Sequence, residues 1–401
     1  MVRYDVAVVG GGVVGCSAAK HLAERSSLSV CVIEKEHRLG AHQSGRNSGV
    51  LHPGFNYPPG SRKAAFATEG TRRMKAYAEA HDVPIEEFGV VVVATDASEE
   101  ARLRELHSRA EANGVETELI DRERLREKEP HAAGRTALYC PEAASIDSHQ
   151  YLHALAREAK NRGVDFLMGH RVEGIEDAGP DHRVPTSNGE IEAGYLLNAA
   201  GLYADELAAE CGVGDAYQVV PFRGEYYELV PDRAGLCETM IYPTPDPDLP
   251  FLGVHFTRRT DGKVIVGPNA VLAFGREAYS NTDFDVRELA DTLGYGGFWK
   301  LMANLKMLRV AWDELGKSYR KEKFVAAARE LVPDARRADF RKSYAGVRAQ
   351  LVSADGDLVN EPVFERGPDS LHVLNAVSPG LTCSLPLGDH LAGEILADIG
   401  D

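Results

Sequence analysis

One stretch of the sequence, HQSGRNSGVLHPG at positions 42–54, concentrates side chains that bind ligands. Histidine, arginine, asparagine and serine stand here among glycines, and their spacing fits neither the period of an amphipathic helix nor the alternation of a strand. Glycines let the backbone lie against a flat ligand, and the polar side chains donate hydrogen bonds to it. We therefore expect a ligand-binding loop whose contacts come from Ser44, Arg46, Asn47, Ser48 and Gly49.

The N-terminal segment carries a second chemical signal, a glycine motif between two apolar runs. The valine-rich run at 4–9 is typical of a buried parallel strand. A helix-like segment follows the motif, and a second apolar run ends at Glu34. The motif has the spacing GxGxxG and consists of Gly10, Gly12 and Gly15. A strand, glycine turn, helix and strand of this kind binds a dinucleotide, with backbone against the pyrophosphate and the acidic residue on the ribose hydroxyls.

The residues around the motif narrow the choice of dinucleotide. Val13 and Val14 open the helix whose N-terminus faces the phosphates, so we count them among the ligand contacts. Glu34 is followed by Lys35 rather than by a basic pair, which disfavours a 2′-phosphate and hence NADP. The polar loop 42–54 comes next, where a nicotinamide dehydrogenase usually continues into another βαβ unit. This order favours FAD over NAD.

Composition restricts the class of protein. The 401 residues are enough for two or three domains. The net charge of −16 disfavours a nucleic-acid partner, because binding phosphates requires positive charge. The six cysteines form no CxxC pair, which predicts reduced thiols in a cytoplasm and no metal site. No apolar run reaches the roughly 18 residues of a membrane span, and the N-terminus does not have the layout of a signal peptide.

The remaining pattern predicts the elements that position these groups. Helices are expected at 61–81, 98–113, 121–128 and 148–162. Strands are expected at 88–94, 218–230, 251–257 and 263–266, with a hairpin turn at 188–189. Residues 129–147 are expected to form a loop-rich return. The two tryptophans, Trp299 and Trp312, lie in a helical block and are expected in the core.

The whole chain resembles the D-amino-acid-oxidase type of FAD-dependent oxidoreductases, and within that superfamily it looks most like the L-2-hydroxyglutarate dehydrogenases and oxidases. The resemblance is carried by VVGGGVVG, VIEKE, HQSGRNSGVLHPG, VVPFRGEYYEL, YPTPDPDLPFLGVHFTRR, VGPNAVLAFGREAY, AGVRAQ and HVLNAVSPGL. The first two segments are shared by FAD enzymes in general, whereas PFLGVHFT and GPNAVLAF are more specific. The C-terminal SPGLTCSLPLG is richer in glycine than we expect for mitochondrial relatives.

The resemblance implies an α/β chain, α+β overall, in which two domains are interleaved. A Rossmann-like FAD-binding domain is expected from the discontinuous segments 1–82, 147–215 and 340–401. A substrate-binding domain, with a mixed or antiparallel β-sheet and helices, is expected from the insertions 83–146 and 216–339.

The resemblance also implies a substrate site over the flavin. The residue matching Arg348 faces the isoalloxazine and forks a substrate carboxylate, a task that suits a guanidinium because its donors are parallel and it stays charged when buried. His52 and His255 are the candidate bases for a hydroxyl proton, since histidine titrates near neutrality, and we favour His255. Arg223 is a weaker candidate for the role given to Arg348. A second carboxylate needs another cation or donor, for which the candidates are Tyr57, Asn269 and Arg276.

Further cofactor contacts follow from positions that match the family. Val172 matches the residue whose backbone meets the adenine, and Ala200 and Gly201 follow a predicted strand that ends beside the cofactor. A helix after 377–382 is expected to aim its N-terminus at the pyrimidine end of the flavin and to stabilise its reduced anion. The contacts expected there are Ser378, Pro379, Gly380, Leu381 and Thr382.

These features predict the FAD-dependent oxidation of L-2-hydroxyglutarate to 2-oxoglutarate, by hydride transfer from Cα to flavin N5. One alternative is another oxidoreductase of the superfamily, acting on an amino acid, sarcosine, glycine or glycerol 3-phosphate. A second is a flavin-binding protein without turnover. The FAD is expected to be non-covalent, and oxygen, a quinone or a carrier stays open as the electron acceptor. A cytoplasmic location with peripheral membrane contact is compatible with the sequence, which does not indicate an oligomeric state.

Overall fold

The structure is a computed structural model that describes residues 2–246, 252–376 and 378–400. Its strands are β1 Val2–Val9, β2 Val30–Glu34, β3 Val50–Leu51, β4 Ile85–Glu86, β5 Val90–Ala94, β6 Glu118–Asp121, β7 Thr136–Cys140, β8 Ala144–Ile146, β9 Asp165–Met168, β10 Glu176–Asp177, β11 His182–Thr186, β12 Gly189–Asn198, β13 Tyr217–Leu229, β14 Met240–Pro243, β15 His255–Arg258, β16 Val264–Gly267, β17 Val271–Leu272, β18 Phe340–Ser353, β19 Val363–Gly367 and β20 Ser370–Asn375. Its α-helices are α1 Val13–Arg25, α2 Arg62–Ala80, α3 Ala97–Ala112, α4 Arg122–Lys128, α5 Ser148–Asn161, α6 Ala204–Glu210, α7 Val286–Gly294, α8 Gly296–Met302, α9 Leu305–Tyr319, α10 Lys321–Leu331 and α11 Ser384–Gly400. Among the described residues, no helix is long and apolar enough to cross a membrane.

The first sheet has the parallel topology expected of a dinucleotide-binding domain. Its main path runs β10-β11-β12-β1-β2-β9, and β20 and β19 extend it from β12. The pairs β1–β12, β1–β2, β2–β9 and β12–β20 are parallel. Val6, Ala7 and Val8 of β1 are fully buried, as a strand covered on both faces requires. The predicted strand, turn, helix and strand at the N-terminus is therefore confirmed.

Two helices pack closely on this sheet. Leu22 of α1 and Leu391 and Ile395 of α11 belong to one buried apolar cluster with the strands. The helices approach so closely that a Cβ added at Gly388 of α11 would lie 2.3 Å from Ser17 Oγ of α1. Glycine at this position therefore lets α11 cover the helix that begins at the glycine turn.

The second sheet is mixed and mostly antiparallel. Its main path runs β17-β13-β16-β15-β14-β5-β7-β6, and β18 pairs with β13. The β13–β18 ladder extends from Tyr217 opposite Ser353 to Leu229 opposite Phe340, and α10 contributes Phe324 to the core beneath this sheet. After β18 the chain returns to β19 and β20 of the first sheet. The architecture is thus the α/β fold with an inserted mixed sheet that the sequence predicted.

A small third sheet links the two large ones. It has the order β3-β8-β4, and its β3 lies inside the polar stretch 42–54, where Val50 pairs with Ser145 of β8. The division of the chain into domains stays a prediction. In the structure β18, which begins the predicted FAD-binding segment 340–401, pairs with the second sheet.

The predicted helices at 61–81, 98–113, 121–128 and 148–162 are confirmed as α2 to α5 within one or two residues. Residues 129–147 differ from the expected loop, because β7 and β8 form there by pairing with distant strands. Arg348 lies within the long β18, and β15 begins only at His255. Phe251 of the expected strand 251–257 and Val377 of the expected helix start lie outside the described residues.

The prediction that the two tryptophans lie in the core is wrong. Trp299 is 57% exposed and Trp312 is 67% exposed. Both belong to the helical block of α7 to α10, in which α9 has no buried residue. The segments that carry them are helical, as predicted. The helix face on which the tryptophans lie is not covered by another part of the described chain.

Candidate active site

A cavity of about 1120 Å³ is lined by residues from both large sheets. Its walls come from the turn after β1, the end of β2, segments 40–44 and 46–48, the residues after β12, and the middle of β18. Its volume exceeds the roughly 300–1,000 Å³ usual for a single small ligand. The cavity therefore has room for a cofactor and a substrate together.

The glycine turn after β1 requires glycine for steric reasons. Gly10 has φ +109°, and a Cβ there would lie 2.4 Å from the Ala199 carbonyl oxygen. A Cβ at Gly15 would lie 2.0 Å from the Gly10 carbonyl oxygen. Gly12 caps α1, and both it and the first residues of the helix line the cavity. Backbone amides of a helix N-terminus are thus presented to the cavity, as a pyrophosphate requires.

Glu34 is fixed at the carboxyl end of β2. Its two carboxylate oxygens accept hydrogen bonds from the backbone amides of Gly11, at 2.8 Å, and Glu36, at 2.9 Å. Glu34 and Lys35 both line the cavity. The Lys35 ammonium lies 2.5 Å from carboxylate oxygens of both Glu36 and Glu277. The predicted ribose acceptor is therefore held in place before a ligand arrives.

Side chains of the polar loop fix its backbone by hydrogen bonds. The Asn47 amide donates to the carbonyl oxygens of Gln43 and Ser44, at 3.0 and 2.8 Å, and its oxygen accepts from the Gly49 amide at 2.8 Å. Ser44 Oγ accepts from the Val13 amide at 3.0 Å, which ties the loop to the start of α1. Asn47 therefore shapes the loop as well as lining the cavity.

Arg46 connects the loop to the second sheet. Its guanidinium donates to the carbonyl oxygens of Ala41, at 2.7 Å, and Ala345 of β18, at 3.2 Å. It also stacks over the ring of Tyr279, with its central carbon 4.0 Å from the ring centroid. The loop consequently lies between the first sheet and the strand that carries Arg348.

Most of the remaining predicted cofactor contacts also line the cavity. These are Val14, Ser48, Val172, Ala200, Gly201, Ser378, Pro379, Gly380 and Leu381. Three others, Gly15, Gly49 and Thr382, lie behind the wall. Gly15 and Gly49 permit close backbone contacts, and Thr382 Oγ1 accepts from the His52 amide at 3.1 Å. That these three residues contact the cofactor stays a prediction. In the structure they contact residues of the wall from behind.

The two histidines predicted as bases lie on one wall and flank Tyr242. The ring centroid of Tyr242 is 4.3 Å from that of His255 and 6.1 Å from that of His52. His255 Nδ1 is 3.0 Å from the Gly253 carbonyl oxygen. Because a carbonyl only accepts, Nδ1 carries the proton and Nε2 keeps its lone pair.

Both imidazoles are uncharged at neutral pH. Burial is the main reason that the pKa of His255 is lowered to about 3; the hydrogen bond with Gly253 raises the pKa, and the proximity of His52 and Arg348 lowers it. Burial lowers the pKa of His52 to about 4, with a smaller contribution from Lys63. A neutral imidazole is the form that accepts a proton.

Cationic and polar groups complete this wall. Arg348 and Tyr57 line the cavity as predicted. Lys63, which the sequence reasoning missed, also lines it, with Nζ 4.6 Å from the centroid of the Tyr57 ring. The available signal was its place in the first turn of α2, where a lysine opposes the helix dipole. That signal is weak without the fold, because it does not show which way the side chain faces.

Three residues predicted to bind substrate lie outside the cavity lining, in buried networks. Arg276 pairs with Asp205 at 2.6 Å. Arg223 donates to the Ser280 carbonyl oxygen at 2.7 Å. The side-chain amide of Asn269 donates to Glu225 at 2.9 Å and accepts from the Glu225 amide at 2.7 Å. Because these side chains are buried outside the cavity lining and hydrogen-bond within the protein, the geometry gives no support for a role in substrate binding.

Comparisons with known proteins identify the family of the chain. A family model described as DAO, FAD dependent oxidoreductase, matches residues 5–394. The chain is 36% identical to L-2-hydroxyglutarate dehydrogenase of Escherichia coli strain K12, over 98% of this chain and 93% of the relative. It is 38% identical to the enzyme of that name from Indibacter alkaliphilus, over 96% and 97%. It is also 38% identical to the mitochondrial one of Caenorhabditis elegans, over 98% and 93%.

Solved structures show the same fold at lower identity. L-alpha-glycerophosphate oxidase from Mycoplasma pneumoniae with FAD bound is 23% identical, with a TM-score of 0.78 over 99% of this chain and 95% of that one. Glycine oxidase from Geobacillus kaustophilus is 20% identical, with a TM-score of 0.73 over 99% and 95%. The chain belongs to the DAO family of FAD-dependent oxidoreductases. It is an oxidoreductase whose cofactor is FAD, and the glycine turn, Glu34 and the cavity volume fit that cofactor.

Replacing Glu34 with lysine should weaken FAD binding about 10- to 100-fold, since it removes a charged acceptor worth roughly 1.5–3 kcal/mol and places a second cation beside Lys35. Titration of FAD into the apoprotein, followed by quenching of flavin fluorescence, measures the change. The same substitution at the exposed Glu79 of α2 serves as the control. Equal affinities for both variants would exclude Glu34 as a cofactor ligand.

Proposed function

We propose that this protein oxidises L-2-hydroxyglutarate to 2-oxoglutarate. The observation that carries the proposal is the cavity wall on which two uncharged imidazoles, His52 and His255, lie with the cation Arg348. A 2-hydroxy acid presents to such a wall a carboxylate for the guanidinium and a hydroxyl proton for an imidazole. The relatives named L-2-hydroxyglutarate dehydrogenase, at 36–38% identity over nearly the whole chain, support the choice of acid.

The protein groups divide the work between binding and proton transfer. Arg348 holds the carboxylate next to the reacting carbon, because two parallel N–H donors match two oxygens. His255 Nε2 takes the hydroxyl proton as the C–H bond breaks. The chemistry that FAD supplies when bound is acceptance of the hydride that leaves Cα. His52, whose amide is anchored on Thr382, orients the hydroxyl or carboxylate.

Substrate binding also changes the basicity of the histidines. The imidazoles have low pKa values because they are desolvated and lie near cations. An anionic substrate adds negative charge beside them, which favours the protonated form and raises the pKa. His255 is thus neutral when substrate arrives and becomes a stronger base once it is bound.

The first test is a panel of substrates under anaerobic conditions. L-2-hydroxyglutarate should bleach the flavin absorbance, and glycine, sarcosine, L-lactate and glycerol 3-phosphate should do so at least about 100-fold less efficiently, since none fills all the polar groups of the wall. Repeating the panel with oxygen and with a quinone identifies the electron acceptor. Efficient bleaching by glycine or glycerol 3-phosphate instead would assign the protein to another activity of the superfamily. No bleaching by any substrate would indicate a binding protein without turnover.

Changing His255 to alanine should lower the rate of flavin reduction by L-2-hydroxyglutarate about 10²- to 10⁴-fold, the usual loss when a general base is removed. FAD content should stay intact. His52→Ala should lose less rate and more affinity, because His52 positions the substrate. Stopped-flow reduction across substrate concentrations separates the two effects, and near wild-type reduction by His255→Ala would transfer the role of base to His52.

The pH profile of the same reaction checks the state of the histidines. With pKa values of about 3 and 4 in the free protein, the imidazoles stay neutral down to pH 5. The reduction rate divided by the dissociation constant should therefore be flat from pH 5 to 7.5. An ordinary histidine, with a pKa near 6.5, would instead cause a tenfold fall per pH unit below that value. A fall of this kind would contradict the assignment.

We further propose peripheral contact with an anionic membrane, through an apolar face of α8 and α9. Its exposed residues are Trp299, Leu305, Leu308, Trp312, Leu315 and Tyr319. Those of α9 recur every three or four positions, and α9 has no buried residue. Residues 296–323 carry a net charge of +4 within a chain of −16, which fits anionic lipid and opposes a second copy of the same face.

The tryptophans make this contact measurable, because the chain has only two and both lie on the face. Adding vesicles of anionic phospholipid should shift the tryptophan emission to shorter wavelength and sediment the protein, whereas zwitterionic vesicles should do neither at 0.15 M salt. Leu308→Asp combined with Leu315→Asp should abolish both effects and leave flavin reduction unchanged. An unchanged emission spectrum with anionic vesicles would contradict the proposal.

A cytoplasmic location is proposed separately, since all six cysteines are unpaired thiols.

A further inference from the structure

Lys63 is a cation in the cavity wall that forms no ion pair within 4.0 Å among the described residues. It is half-buried, lines the cavity, and places Nζ over the Tyr57 ring at 4.6 Å. No Asp or Glu oxygen of the described chain lies within 4.0 Å of Nζ; Glu361 is bound instead by the Lys63 backbone amide, at 3.4 Å. Burial lowers the pKa of Lys63, and the negative charge of Glu361 offsets this only in part, so the ammonium lacks full compensation for its desolvation.

The local backbone adds to this unbalanced positive charge. Ser61 caps α2 by accepting from the Ala64 amide, so that Arg62 and Lys63 occupy the first turn. A helix N-terminus carries partial positive charge and favours anions, so a lysine there is on the unfavourable side of the dipole. The arrangement becomes favourable when an anion lies between Nζ and the cavity.

The position of Lys63 relative to the reacting groups indicates which anion this is. Its charge contributes to the low pKa of His52, as the charge of Arg348 does to that of His255. Each histidine is therefore influenced by one cation, and the two cations come from different elements, α2 and β18. A substrate with one carboxylate pairs with only one of them.

We infer that Lys63 binds the second carboxylate of a dicarboxylate substrate, while Arg348 binds the carboxylate next to the reacting carbon. This assignment rests on the proposed function and makes Lys63 the residue that selects a dicarboxylic over a monocarboxylic 2-hydroxy acid. Lys63 supplies the second cation. Arg276 does not supply it, because it is paired with Asp205. The Tyr57 ring supports the ammonium by a cation–π contact.

The test compares L-2-hydroxyglutarate with L-2-hydroxypentanoate, which has the same chain length without the distal carboxylate. Lys63→Met keeps the apolar stem and removes the charge. It should raise the dissociation constant for L-2-hydroxyglutarate at least about 30-fold, the lower end of the loss when one partner of a desolvated ion pair is removed. The limiting reduction rate with L-2-hydroxyglutarate should change less than threefold, and L-2-hydroxypentanoate should react as with the wild type. Lys63→Arg should restore much of the affinity.

Arg62→Met is the matched control, because it removes the same charge one position earlier from an exposed side chain outside the cavity lining. FAD content, read from the absorbance ratio, establishes that each variant binds its cofactor. If Lys63→Met keeps the wild-type preference, or weakens the binding of both acids equally, the inference is overturned and the proposed function stands. A wild-type flavin that L-2-hydroxyglutarate does not bleach overturns the proposed function, and the role of Lys63 with it.

Discussion

The antiparallel pairing of β13 with β18 is the constraint on which the site depends. β18 is held along its length by β13, and its Gly346 lies so close to the polar loop that a Cβ there would be 2.3 Å from the Arg46 carbonyl oxygen. Tyr344 donates to the Asn47 carbonyl oxygen at 2.7 Å. One strand thus holds the loop that belongs to the first sheet and carries Arg348 into the cavity. The distance between this loop and the backbone of Arg348 is set by strand pairing rather than by flexible side chains.

Desolvation by that architecture explains how the site combines bases and cations. The same burial that keeps His52 and His255 neutral would be costly for an unpaired charge. Arg348 stays charged because a guanidinium is not deprotonated in proteins, whereas the Lys63 ammonium is destabilised and its pKa falls. In the proposed function, a second carboxylate compensates the desolvated Lys63 ammonium, and the negative charge of the substrate raises the basicity of the imidazoles. The proposed binding and the proposed proton transfer therefore depend on the same desolvation.

The sequence predicted those parts of the site that depend on neighbours close in the chain. Gly10, Gly15 and Glu34 act through turns and strand ends that their immediate neighbours define, and the structure shows the close contacts that such spacing requires. The internal pairing of Arg276 could not be predicted, because its partner, Asp205, is 71 positions away. β7 likewise forms by pairing with β5, and no local pattern shows that. A cation becomes a candidate ligand only when its internal partners are known, which requires the fold.

The helical block α7 to α10 also shows what local sequence patterns do not predict. The spacing of Leu308, Trp312 and Leu315 specifies one apolar face of a helix, but spacing alone does not say whether protein covers that face. In the structure it is exposed. The preceding helix, α7, contributes Arg287 and Asp291 to the cavity lining, while Val286 of the same helix is 70% exposed. α7 and α8 are consecutive and in contact. The face proposed to contact a membrane and one wall of the cavity therefore belong to neighbouring helices.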